Sequence, residues 1–250
     1  MKRLLSAVAA VAILAFFGAV SGSRATTGFD GIRLRVLFVG NSLTTTNDLP
    51  ARIAELAAAT GRELEIGKVT FDGYSLEDHW NQGDARVALA TGDWDVVIMQ
   101  QGPSTLPESQ VNLRLWATRF ADEARAAGTR PGLLTVWPEV YRQLVLPDVI
   151  VSYRLAAQAA NAELFPAGEA WHAAWGCNRR LGLYGPDGFH PSRLGTYVAA
   201  LVVYGRLFRA PLLRPTLIPE GMAPRTARLL QWSAATALGR RLPPARRCGR

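Results

Sequence analysis

A serine hydroxyl is a poor nucleophile at neutral pH and needs a base to take its proton. The first question for this chain is therefore which histidine could serve which serine. Ser42 stands in "VLFVGNSLTTTNDLP", residues 36–50, where a run of strand-forming residues, Val36 to Val39, stops at a glycine. Pro50 then opens an apolar, helix-spaced segment. A serine between a strand and a helix meets free N–H groups and the positive end of the helix dipole, which favour developing negative charge. The chain has 3 histidines. His190 lies in "YGPDGFHPSRLG", residues 184–195, a Gly/Pro-rich loop ahead of an apolar helix, with Asp187 three positions earlier. One loop can thus supply both base and orienting carboxylate: Asp187 accepts from Nδ1–H, and Nε2 faces the serine. His79, inside a helical stretch, and His172, between two tryptophans on a helix, read as packing or surface residues. Ser75 reads as a helix cap. Ser104 follows a Gly-Pro turn, and no G-x-S-x-G pentapeptide occurs, which argues against the α/β-hydrolase family.

These residues need a scaffold. Strand candidates are Leu34–Val39, Leu64–Val69, Asp95–Met99, Gly132–Val136 and, more weakly, Glu163–Pro166. Helix-period segments fall near 50–60, 75–90, 110–127, 148–161, 192–208 and 223–239. Ser75 and Asp78 have the spacing of a capping box. Short apolar strands alternating with helices predict a parallel sheet covered on both faces, a three-layer α/β/α domain. Flavodoxin-like strand order 2-1-3-4-5 places ligands beyond the carboxyl ends of strands 1 and 3, next to Gly40-Asn41-Ser42 and Gln100-Gln101.

At these residues the chain resembles the SGNH hydrolases, also called GDSL esterases and lipases. "GNSL", residues 40–43, stands for the usual Gly-Asp-Ser-Leu, and "DGFH", residues 187–190, for the last block, Asp-x-x-His. "FDGYSLEDHW" offers Gly73 where the second block supplies a backbone N–H to the oxyanion hole. The resemblance implies a triad of Ser42, His190 and Asp187, with Ser42 and Gly73 as backbone donors. Two departures stand out. Asn41 replaces the acid beside the serine. The third block, whose asparagine normally donates to the oxyanion, is replaced by "VVIMQQGPS". Gln100 is expected to take that donor role, with Gln101 the alternative, because strand alternation exposes only one of the pair to a given face. Asn41, Tyr74, Gln101, Trp137 and Tyr184 are further candidates for contact with substrate. The aromatic residues Tyr74, Trp80, Trp137 and Tyr184 could stack on sugar, line an acyl pocket, or simply pack.

Length and composition bound the rest. The chain has 250 residues, 49% of them hydrophobic, enough for one substantial core. Lys2 and Arg3 before an apolar run from Leu4 to about Val20 have the layout of an export signal, residues 1–25, with cleavage after Gly22 or Ala25. A retained anchor is the alternative. The hydrolase domain is expected over residues 31–240, followed by a basic tail, 241–250. The formal charge is +8, without the aromatic-interleaved basic clusters of nucleic-acid grooves. Cys177 and Cys248 are the only 2 cysteines. An oxidising compartment would let them pair, and two free thiols are the alternative. No cofactor or metal is expected: there is no His/Cys/Asp cluster at ligand spacing, P-loop or dinucleotide fingerprint. The expected protein is a secreted or periplasmic serine esterase acting on a small-molecule or carbohydrate ester, without nucleic-acid partners or stable membrane insertion. An O-acyltransferase and a non-catalytic carbohydrate-binding module are the alternatives.

Overall fold

A computed structural model describes residues 32–240 together with Cys248. The expected export segment and most of the basic tail lie outside these residues. Five strands form one parallel sheet: β1 (Arg33–Gly40), β2 (Glu63–Thr70), β3 (Val96–Met99), β4 (Arg130–Leu134) and β5 (Glu163–Phe165), in the order β2-β1-β3-β4-β5. Val36–Val39 of β1 and Val96–Met99 of β3 are buried throughout, as a strand covered on both faces requires.

Nine helices accompany the sheet among the described residues: α1 (Ser42–Thr45), α2 (Leu49–Ala58), α3 (Leu76–Gln82), α4 (Asp84–Thr91), α5 (Pro107–Ala126), α6 (Leu146–Ala159), α7 (Ala167–Cys177), α8 (Arg193–Leu207) and α9 (Pro224–Ala237). Helices α3 to α6 pack against one another in sequence, whereas α2 packs on α8, which also meets α7 and α9. The single helical stretch expected near 75–90 is two helices, because Gly83 enters the left-handed region (φ 96°) and ends α3. Ser75 caps α3 with the full reciprocal box: Ser75 Oγ accepts from Asp78 N, and Asp78 Oδ2 accepts from Ser75 N at 2.8 Å. None of these helices is long and apolar enough to cross a membrane.

Strand order reverses between β1 and β3. Chain continuing from Gly40 turns toward β2, whose following turn is held by the Phe71 N–H on Gly40 O at 3.1 Å. Chain continuing from β3 begins with the Gln100 N–H on Val39 O at 3.0 Å. The carboxyl ends of the three strands therefore meet around one serine. Cys177, the last residue of α7, is bonded to Cys248 with 5.3 Å between Cα atoms.

Candidate active site

Ser42 is the first helical residue of α1. Asn41 caps this helix, its Oδ1 accepting from Leu43 N at 3.1 Å. The residue standing in place of an acid thus satisfies one of the orphan donors of the turn that presents the serine.

The base arrives on a self-contained loop. Tyr184 and Pro191 form an antiparallel bridge, and Gly185 N donates to His190 O at 2.8 Å. Asp187 Oδ1 accepts from the backbone N–H groups of Phe189 and His190, each at 3.1 Å. Its Oδ2 lies 2.5 Å from His190 Nδ1, and His190 Nε2 lies 2.8 Å from Ser42 Oγ. A carboxylate can only accept, so Nδ1 carries the proton and Nε2 is free to accept from the serine hydroxyl. The His190 hydrogen bond, followed by that of the Phe189 N–H, holds the Asp187 carboxyl below its ordinary value of 3.8, so it stays charged through neutral pH. Gly188 has φ +69°, and a side chain there would collide with Val140, whose N–H donates to Gly188 O at 2.7 Å.

Two ties deliver this loop to the serine, and neither was foreseen from sequence. Asn47 Nδ2 donates to Pro191 O at 2.8 Å and to Thr196 Oγ1 at 2.9 Å. Asn47 holds φ 56°, a conformation that asparagine tolerates well; a polar residue in a tight turn after the nucleophile was the available signal. Trp137 donates from Nε1 to Phe189 O at 3.1 Å and stacks on Trp171, centroids 3.8 Å apart. Only 1% exposed, Trp137 is a brace beneath the histidine loop and has no surface for substrate. Tyr184 likewise turns inward, its hydroxyl donating to Pro138 O at 2.6 Å and its ring meeting Trp171 and Trp175. The expectation of substrate contact is corrected for Trp137, because aromatic area this large is buried wherever the core can reach it, whereas Tyr184 stays half-buried. Trp80 packs edge-on against Phe120 beneath Arg86. Tyr74 stays half-buried, and its ring contacts those of Phe71 and His79.

The amides differ from expectation. Gln100 Oε1 accepts from Asn41 N at 2.7 Å, while Nε2 donates to Asn41 Oδ1 at 2.9 Å and Gln101 O at 3.3 Å. Gln101 Oε1 accepts from Leu76 N, and its Nε2 donates to Ser104 Oγ at 3.0 Å and Asn112 Oδ1 at 3.5 Å. Its backbone is locked by Tyr153, which donates to Gln101 O at 2.6 Å. In each case a backbone N–H dictates which end is the oxygen, so the orientations are unambiguous. Both amides have spent their donors inside the protein, and neither is free to meet an oxyanion. Their extra methylene relative to asparagine lets them fold back onto neighbouring backbone. The N–H groups of Ser42 and Gly73 have no hydrogen-bond partner among the described residues. Gly73 has φ +74° in the turn Phe71–Tyr74, whose ends are bound to the two residues preceding Ser42: Phe71 N to Gly40 O, and Tyr74 O to Asn41 Nδ2 at 2.9 Å.

His79 lies behind this corner, fully buried, with Nε2 donating to Gly40 O at 2.8 Å and Nδ1 unpartnered. Burial lowers its pKa below the ordinary 6.5, so the ring is neutral. His172 is exposed on α7. Among the described residues no group of three His, Cys, Asp or Glu is placed to hold a metal ion.

A parallel α/β/α sheet with an Asp-His-Ser chain at its switch point is the arrangement of a serine hydrolase. No family model matches the sequence, and a search of curated proteins finds no match. Solved structures do match. A protein from Slackia heliotrinireducens, described as a candidate SGNH hydrolase, is 27% identical over 70% of this chain and 99% of its own, with a TM-score of 0.60. A DUF4886 family protein from Bacteroides uniformis is 20% identical, covering 82% of this chain and 95% of its own, with a TM-score of 0.73. The acetyl xylan esterase AlAXEase shares the fold at 15% identity, over 70% of this chain and 100% of its own, with a TM-score of 0.58. The chain belongs to the SGNH hydrolase superfamily.

Proposed function

We propose that the protein is an exported serine esterase that cleaves acyl esters through a covalent intermediate on Ser42. The observation that carries this reading is the proton path Asp187–His190–Ser42, with contacts of 2.5 and 2.8 Å. His190 Nε2 takes the hydroxyl proton as Ser42 Oγ bonds to the ester carbonyl, and Asp187 stabilises the imidazolium that results. The N–H groups of Ser42 and Gly73 bind the oxyanion. Collapse of the tetrahedral species breaks the bond to the alcohol oxygen, which receives the proton from His190. A water, deprotonated by the same imidazole, then releases the acid. Export to the outside of the cell or to the periplasm is supported by the N-terminal sequence and by a disulfide between Cys177 and Cys248.

We place the substrate among small-molecule and carbohydrate acyl esters, acetylated sugars first. Tyr141, 81% exposed in the segment that follows Val140, is the aromatic face open to a sugar ring near the histidine loop. A longer acyl chain is favoured instead by Leu106, Val140 and Leu144, all exposed on two loops joined by an Arg142–Thr105 hydrogen bond of 2.8 Å. A fluorophosphonate probe tests the nucleophile: intact and peptide mass spectrometry should find one adduct, on Ser42, and none in Ser42→Ala. That variant should keep its fold and lose hydrolysis of a short-chain aryl acetate, and full turnover in it would remove Ser42 from the mechanism. Rates over acetylated sugars and over short to long acyl chains separate the two substrate readings.

A further inference from the structure

We infer that Gln100 and Asn41 act as a single positioning unit that assembles the oxyanion hole, rather than as donors within it. The inference rests on Ser42 being the nucleophile. Gln100 is itself buried and grips Asn41 twice, through the backbone N–H and through Oδ1. With Oδ1 also fixed by Leu43 N, the only direction left to Asn41 Nδ2 is toward Tyr74 O, at 2.9 Å. That contact sets the turn carrying the Gly73 N–H beside the turn carrying the Ser42 N–H. A glutamine on the central strand β3 thus registers the chain ends of β1 and β2 through one asparagine, and each amide uses its donors to do so.

The packing around Gly40 shows that this is a built feature. A side chain at Gly40 would collide with Gln100 Oε1 and crowd Thr44 Oγ1, so the glycine of the first block leaves room for the carboxamide in its present place. The carbonyl of Gly40 meanwhile accepts from His79 Nε2 and from Phe71 N, holding the same corner from behind. Every polar group of Asn41 and Gln100 that could move the serine turn has a partner, and a satisfied buried network of this kind is rigid. The catalytic consequence is specific. Two backbone N–H groups receive the oxyanion, and their separation is set by a contact neither of them makes.

A double-mutant cycle tests this, read on aryl acetate hydrolysis. Gln100→Met and Asn41→Ala should each lower kcat by about 10- to 100-fold with KM changed less than about twofold. If the two residues act through one another, the double variant is no slower than the slower single variant, within about threefold. Multiplied losses, about 10²- to 10⁴-fold, would mean independent roles and overturn the inference. Gln100→Glu, read at the alkaline end of the pH profile where the carboxyl is ionised, keeps the side-chain shape and the bond from the Asn41 N–H but removes both donated bonds. It should show the same kcat-only loss if the methionine variant melts early, and wild-type kcat in it would also overturn the inference. Fluorophosphonate labelling of the same proteins separates the two levels: a Ser42 adduct throughout with multiplied losses sinks only the positioning unit, whereas no adduct on the wild type sinks the nucleophile.

Discussion

Around Ser42 the polar contacts span long stretches of chain: Gln100 reaches Asn41 across 59 residues, and Asn41 reaches Tyr74 across 33. Around His190 they are short. Asp187 binds His190 and the Phe189 N–H within three residues, and Gly185 closes the loop on His190 O. The serine corner exists only once three strands have assembled, whereas the histidine loop holds its own shape and needs delivery to the site. Asn47, across 144 residues, and Trp137, across 52, provide that delivery. Damage on the serine side should therefore appear in the chemistry of the oxyanion. Damage to the histidine side should appear either as loss of the base, when the loop itself is altered, or as poor alignment, when a tie is cut.

The largest effect expected on the histidine side is that of Asp187→Asn, which keeps the size of the side chain but presents an amide to Nδ1. kcat should fall on the order of 10³- to 10⁴-fold while the fluorophosphonate still finds Ser42 slowly. Near-normal kcat would show that the backbone of the loop orients the imidazole without its carboxylate. Asn47→Ala leaves the loop intact and removes its tie to the serine turn, so kcat should fall by about 10- to 100-fold with only a small change in melting temperature. Asn47→Gly relieves the backbone at φ 56° yet lacks the same bonds. Equal losses in the two variants would assign the effect to the hydrogen bonds rather than to the turn.

Trp137→Phe retains an aromatic ring against Trp171 and removes the bond to Phe189 O. Denaturant unfolding should report a cost of about 1 kcal/mol, with kcat lowered less than in Asn47→Ala. Should kcat suffer more than in Asn47→Ala, the brace rather than the tie is what aligns the base. The smallest effect is a pH dependence on the serine side. His79 is buried and neutral, with its pKa depressed from 6.5. As pH falls below about 6.5, the unfolded chain binds a proton that the folded chain refuses, so stability declines toward acid. His79→Gln can preserve donation to Gly40 O without titrating. Urea unfolding at pH 7.5 and pH 5.5 (values roughly one unit either side of that pKa) should show a smaller difference for the variant than for the wild type. An unchanged difference would assign the acid sensitivity to other groups.

Legibility followed the range of the interactions involved. Hydrophobic alternation and helix period placed every strand within a few residues, because burial on both faces of a parallel sheet is written in local composition. The break at Gly83 is not visible in the pattern because helix period continues through 75–90 while a left-handed glycine interrupts the backbone. The triad was legible as types: a serine where a strand ends, and an Asp-x-x-His loop late in the chain. The structure brings these three into hydrogen-bond contact. Gln100 and Trp137 take roles other than those expected, because each is set by partners distant in the chain.

The residue types that can perform acyl transfer and the strand-helix alternation that carries them follow from the sequence alone, since each depends on nearby residues or on side-chain chemistry. Tertiary structure decided where the amides and aromatic rings point. The carboxamide of Gln100 turns toward Asn41 because an N–H on another strand lies within reach, and Trp137 turns inward because Trp171 offers a matching face. Such choices depend on groups brought together only by folding, and a linear order of residues does not contain their distances.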